Sequence, residues 1–153
     1  MTLRARLTDL VDRVPLPAET LSAMAVGAIL QRVRPLSLPP AVRPAGILCA
    51  VAGTGLVAVA WRERGPGDLE HPATLVTTGL HGRTRNPIYV GFTLAHLGLA
   101  AATRNGWMLA TCPVGAALVH RWVPREEVQL HELFGAEYDA YRTRVPRYLG
   151  RAQ

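Results

Sequence analysis

The chain is punctuated by arginine, and between the arginines lie long stretches with no charge at all. From Arg43 to Arg62, and again from Arg85 to Arg104, 18 consecutive residues contain no Asp, Glu, Lys or Arg. From Arg104 to Arg121 the run is 16 residues, and a fourth run, from Glu19 to Arg32, is 12. As helix, an 18-residue run extends roughly 27 Å, close to the ~30 Å hydrocarbon core of a bilayer. A chain of 153 residues has too small an interior to hide three such runs. The pattern predicts transmembrane helices over 45–61, 88–103 and 106–122. The shortest run reaches spanning length only if its helix takes in residues 15–19, with Glu19 near an interface.

Composition removes the other classes. With 49% apolar residues the chain is too hydrophobic for disorder, and two cysteines make no disulfide scaffold. Cys49 and Cys112 fall inside expected spans and read as packing residues. The net charge of +6 invites a nucleic-acid reading. A nucleic-acid binder, however, clusters basic groups on one face with aromatic residues between them. Here all 17 basic residues are arginine and stand outside the apolar runs, so no nucleic-acid partner is expected and membrane lipids are. Four spans place thirteen arginines in 1–19, 62–87 and 121–153, against four in 32–44 and at 104. That bias puts both termini and the 62–87 loop in the cytoplasm. The first apolar run begins behind mixed charges and two prolines, unlike a signal peptide. The expectation is one all-α domain over 1–153. It is a polytopic membrane protein of about four transmembrane helices plus a C-terminal cytoplasmic surface helix, with an N-terminal helix and first span in 1–44 and a core in 45–149.

Between the spans the organisation is uneven. Leu3, Leu7, Leu10, Val11 and Val14 recur at helical spacing, which suits an interfacial helix over 1–14. Four prolines in 35–44 exclude regular helix and mark a hairpin. Gly53 and Gly55 in one span, and Gly91 and Gly98 in the next, predict close helix contact. The 62–87 loop is long, polar and turn-rich, a candidate functional loop. In the tail, 124–149, Pro124 opens a helix, Glu126 and Glu127 suit its N-terminal dipole, and Leu130, Leu133, Phe134, Tyr138 and Tyr141 form an apolar stripe, at the membrane surface or packed under the loop, ended by Pro146. Tyr138 and Tyr141 read as interfacial anchors. His96 reads as a hydrogen-bonding residue facing the bundle interior, His120 as a snorkelling or paired one. Glu127 and His131 alone do not make a metal site.

Two clusters carry chemistry. The first is the run from Thr74 through Gly79, His81, Arg85-Asn86-Pro87 and Tyr89 to Gly91; the second is Glu126-Glu127 with Leu130, Phe134-Gly135, Tyr138 and Tyr141. The third and fourth runs are joined by a turn of a few residues, so they are antiparallel neighbours and their cytoplasmic ends meet. Arg85 and the glutamate pair are thereby brought together, as an ion pair or as the wall of a polar pocket.

These clusters, in this order and separation, resemble the isoprenylcysteine carboxyl methyltransferase family, to whose broad group phospholipid methyltransferases belong. The resemblance covers residues 50–149. It implies S-adenosylmethionine as cofactor, held on the cytoplasmic side by Thr74, Leu75, Val76, His81, Asn86, Pro87, Tyr89 and Glu126. Three positions depart from the family's usual residues: Ala73 replaces His, His81 replaces Tyr, and Asn86 replaces the His of Arg-His-Pro. Asn86 binds but does not titrate. Methyl transfer from a sulfonium asks the enzyme mainly for positioning and a dry site, together ~7–11 kcal/mol when alignment is good. A carboxylate or thiolate acceptor needs a cation to dock against, Arg85 or Arg121. An amine acceptor needs a base, for which Glu127 is the nearest candidate. The expected catalytic residues are therefore Arg85 and Glu127, with Arg121 binding a lipophilic or lipid acceptor. Two alternatives stay open: an NADPH-dependent membrane reductase of the sterol-reductase type, and a relative that lost activity, which Ala73 and Asn86 motivate.

Overall fold

The computed structural model describes residues 17–65 and 72–150. The helix expected over 1–14 lies outside them. The described residues form six helices: α1 (Ala18–Val33), α2 (Arg43–Arg64, entered through a 3₁₀ turn at Pro40–Val42), α3 (Pro87–Ala102), α4 (Gly106–His120), α5 (Val123–Phe134) and α6 (Ala136–Arg144). Among the described residues there is no strand, only an isolated bridge between Ser37 and Asn105. The local reasons are ordinary. Proline, whose missing N–H costs nothing in a first turn, opens α2, α3 and α5. Asn105 caps α4, its Oδ1 accepting from Met108 N at 2.8 Å.

α1 to α4 form a bundle in which α2 lies along α3, α3 turns back into α4, and α1 packs on α4. The α2–α3 seam is made of small residues. A Cβ on Gly53 would strike Ala95, one on Gly91 would strike Val57, and one on Gly98 would strike the backbone at Ala50. Close approach of this kind is how helices associate without a hydrophobic drive between them. Gly55, expected in the same seam, faces open space instead; it lies two positions from Gly53 and therefore on another helix face. His96 is 1% exposed and meets the Met108 carbonyl at 3.0 Å inside the bundle. Both cysteines are free.

The two ends of the bundle differ. At one, the 34–42 segment is knitted to the α3–α4 turn: Leu38 N donates to Arg104 O (3.0 Å), Gly106 N to Leu36 O (2.7 Å) and Arg104 Nε to Leu38 O (2.8 Å). At the other end stand the start of α1, the end of α2, the start of α3, the end of α4 and the whole tail. By length and composition, the segment Pro40–Arg64 is able to cross a membrane, with 25 residues and mean hydropathy 1.8, and 17% of its most apolar window is buried. α3 is apolar but shorter, at 16 residues. Val26, Ile29 and Val33 of α1, and Ile47, Leu48 and Val51 of α2, are exposed.

The tail departs from expectation twice. It is two helices, broken at Gly135, whose φ of 51° favours glycine. The break lets α6 fold back beneath the loop. Tyr138 and Tyr141, expected as interfacial anchors, are 1% and 3% exposed and form a small core with Val145 against Leu75, Leu130 and Phe134. Once α6 turns back, their faces point inward to the loop rather than outward.

Candidate active site

The tail-bearing end encloses a cleft of about 570 Å³, within the range of small-molecule sites. Thr74, Leu75 and Val76 of the loop form one wall, with His81, Arg85 and Asn86. Pro87 and Tyr89 enter from α3, Glu126 and Glu127 from α5, and Tyr138 and Tyr141 from α6. Arg121 lies elsewhere. It is exposed and lines a smaller pocket with Leu118, on the far side of Glu19, Trp122 and Arg125, which border both spaces. Trp122 is fixed at that border, its indole N–H donating to Glu19 Oε1 at 2.7 Å and its ring carrying the Arg125 guanidinium at 4.8 Å.

The loop and tail are stapled across the cleft. Arg85 N donates to Pro146 O (2.9 Å), Thr84 Oγ1 to Arg147 O (3.1 Å) and the Asn86 side-chain amide to the same carbonyl (3.0 Å). Beneath these bonds sits an ionic cluster. Glu127 pairs with Arg85 at 3.0 Å and receives a two-pronged bond from Arg147, at 2.9 and 2.6 Å. That bond holds the Arg147 guanidinium above its ordinary pKa. Both carboxylate oxygens of Glu127 are thus engaged. Two buried polar atoms at the cleft are left without a partner, Arg85 Nε and the Tyr138 hydroxyl. Burial, reinforced by Glu127, pushes the Tyr138 hydroxyl up to about 12, so it stands as a donor at neutral pH.

Glu126 faces a different partner. The Tyr89 hydroxyl donates to its Oε1, joining α3 to α5 across the cleft. Arg64, at the end of α2, lines the same wall and acts on both groups electrostatically.

His81 is held from the end of α2 as well. Its Nδ1 lies 3.1 Å from Glu63 Oε2, and the same carboxylate accepts Leu80 N at 3.0 Å on each oxygen. Tyr141 donates its hydroxyl to the His81 carbonyl at 2.6 Å. Burial lowers the imidazole below its usual range, opposed by Glu63. The ring is therefore neutral at pH 7, with Nδ1–H donating to the carboxylate.

Sequence reasoning missed Glu63, Arg64, Arg147 and the Glu19–Trp122 contact. Arg62-Glu63-Arg64 reads only as the charged flank of a span, and Arg147 as one arginine of a basic tail. Each acquires its role from a contact distant in sequence, which no local spacing announces.

A model of the phospholipid methyltransferase family matches residues 43–137, well over half of the chain. The chain belongs to this family. No curated protein matches it, nor does any solved structure. The phospholipid methyltransferase match begins with α2 and ends just inside α6, so it contains the loop, Tyr89 and the glutamate pair. Glu19 before it, and Tyr138 and Tyr141 after it, also line the cleft, and Arg147 after it pairs with Glu127.

Proposed function

We propose that this phospholipid methyltransferase domain transfers a methyl group from S-adenosylmethionine to a lipid-type acceptor at the cytoplasmic face of the cell membrane, with α1 to α4 as four spans and both termini cytoplasmic. One observation carries the reading. The residues that the motif resemblance assigns to the cofactor, scattered between Thr74 and Glu126, line a single cleft together with a set of charged groups. The exposed apolar side chains of α1 and α2 and the arginine bias support the membrane placement.

The donor set suits the cofactor's chemistry. Leu75, Val76 and Pro87 offer apolar wall for a nucleoside base, and Glu126 offers a carboxylate to hydroxyls or an ammonium. The unpartnered Arg85 Nε and Tyr138 hydroxyl are donors of the kind a carboxylate ligand needs. When bound, the cofactor supplies an electrophilic methyl group. The chain's part is to orient it and exclude water. Arg85, Glu127 and Arg147 lock the loop to the tail over the site, so Glu127 acts by fixing Arg85. Arg121, outside the cleft on the far side of Trp122, offers its guanidinium to the phosphate of the acceptor's head group.

The test is calorimetric titration of detergent-purified protein with S-adenosylmethionine, with NADPH as control. Micromolar binding that is lost in Glu126→Ala is the expected result. Heat from NADPH alone would make the chain a reductase, and heat from neither would make it an inactive relative.

A further inference from the structure

In this chain the position that resembles an aromatic stacking residue is a histidine, and a carboxylate is built against it. Glu63 comes from the end of α2 and is held from below by the Leu80 amide. It meets His81 Nδ1 at 3.1 Å, and Tyr141 pins the His81 backbone carbonyl from α6. The carboxylate fixes the tautomer that leaves Nε2 as an acceptor. The imidazole lines the cleft. Glu127, the base expected from sequence, has both oxygens occupied by guanidinium groups.

We propose that His81, oriented by Glu63, is the base that takes the proton from the amine of a phospholipid acceptor. The proposal rests on the methyltransferase reading above. His81 Nε2 accepts one N–H proton of the ammonium, and the freed lone pair forms the new C–N bond to the methyl carbon. The C–S bond of the sulfonium donor breaks and its electron pair stays on sulfur. The charge lost at sulfur reappears on nitrogen as the methylated ammonium, while the proton rests on an imidazolium stabilised by Glu63. A carboxylate acceptor has no proton to give and no use for this pair. Glu63 is a positioning residue: it supports the base and touches nothing that reacts.

The charged and titratable groups around the ring set its pH behaviour. Glu63 and Arg64 face it from α2, and Tyr141 from α6. Glu63 favours the imidazolium, while burial and Arg64 oppose it. Activity therefore rises with pH as the ring loses its proton, and removing the Glu63 charge moves that rise to lower pH.

The experiment measures methyl transfer from S-adenosylmethionine to phosphatidylethanolamine in phosphatidylcholine vesicles between pH 5 and 9, with cofactor affinity measured in parallel. General-base removal costs on the order of 10²–10⁴-fold. His81→Tyr keeps a stacking ring; the expected result is a kcat lowered about a hundredfold or more, no acidic limb, and a cofactor Kd within threefold of wild type. Glu63→Gln keeps a hydrogen-bonding side chain and shifts the limb to lower pH. It also serves where His81→Tyr does not fold. An acidic limb unmoved in Glu63→Gln, or a cofactor Kd that collapses with kcat in His81→Tyr, overturns the proposal. So does preference for a prenylated cysteine carboxylate over the amine in wild type. Absence of cofactor binding by the wild type is a separate result, and it removes the methyltransferase reading itself.

Discussion

Arg85 and Glu127 meet at 3.0 Å with side chains 4% and 12% exposed, so the last charge of the loop and the second glutamate of the tail form one largely buried pair. Arg147 closes the other side of Glu127. The two arginines share a single carboxylate, and so the pair stitches loop to tail while leaving Arg85 Nε to spare.

Removing Arg85 leaves Glu127 buried but still neutralised by Arg147. Breaking a buried pair typically costs ~3–5 kcal/mol, and the remaining guanidinium reduces that here to about 2–3 kcal/mol for Arg85→Ala. Chemical denaturation in detergent checks it. The double variant Arg85→Ala with Glu127→Ala is expected to be less destabilised than the two single changes summed, by at least ~1 kcal/mol. Strict additivity would mean that the two side chains do not interact.

This juxtaposition was legible in the sequence, and other features were not. Uncharged runs bounded by arginine locate α2, α3 and α4 within a few residues, because apolar length and charge placement are properties of a segment by itself. The short turn at Arg104 then brings Arg85 and the glutamates to the same end. The burial of Tyr138 and Tyr141 was not readable, because an apolar stripe looks the same whether it faces lipid or a loop. It depends on the bend at Gly135. Glu63 escaped for a similar reason: its partners, Leu80 and His81, lie across the long loop.

Tyr89 gives a sharper test of the proposed cofactor wall. Its hydroxyl orients Glu126, and a hydrogen bond to a charged group is worth ~1.5–3 kcal/mol. Tyr89→Phe keeps the ring and its packing but frees the carboxylate to turn away. Cofactor affinity is expected to fall about tenfold, against a larger loss in Glu126→Ala, with the melting temperature lowered by only a few degrees, roughly what loss of the bond costs. Equal affinity for wild type and Tyr89→Phe in calorimetry would detach Glu126 from cofactor binding.

The glycines of α2 separate packing from propensity. Gly53 lies against Ala95 and the Gly91 carbonyl with no room for a side chain, whereas Gly55 faces open space. Gly53→Val is expected to destabilise by at least ~1–3 kcal/mol through overpacking of the α2–α3 seam. Gly55→Ala is expected to be neutral or stabilising, since glycine inside a helix costs up to ~1 kcal/mol relative to alanine. Size-exclusion profiles after graded heating compare the two. Equal tolerance at both positions would mean that α2 and α3 do not pack along this face.

The proposed four-span topology makes a prediction at each end of the bundle. Ser37 lies in the exposed segment knitted to the Arg104 turn, and Thr78 lies exposed in the loop at the cleft end. In a background with Cys49 and Cys112 replaced by alanine, cysteines placed singly at the two positions are expected on opposite sides of the bilayer. A membrane-impermeant maleimide added to intact cells is expected to label Ser37→Cys and to spare Thr78→Cys until the membrane is opened. The connection matters for catalysis as well as topology. Methyl donor made in the cytoplasm reaches the cleft only if the end bearing Arg85, His81 and Glu126 faces that compartment. Labelling of Thr78→Cys in intact cells would put the cleft on the wrong side for its cofactor and exclude the proposed reaction.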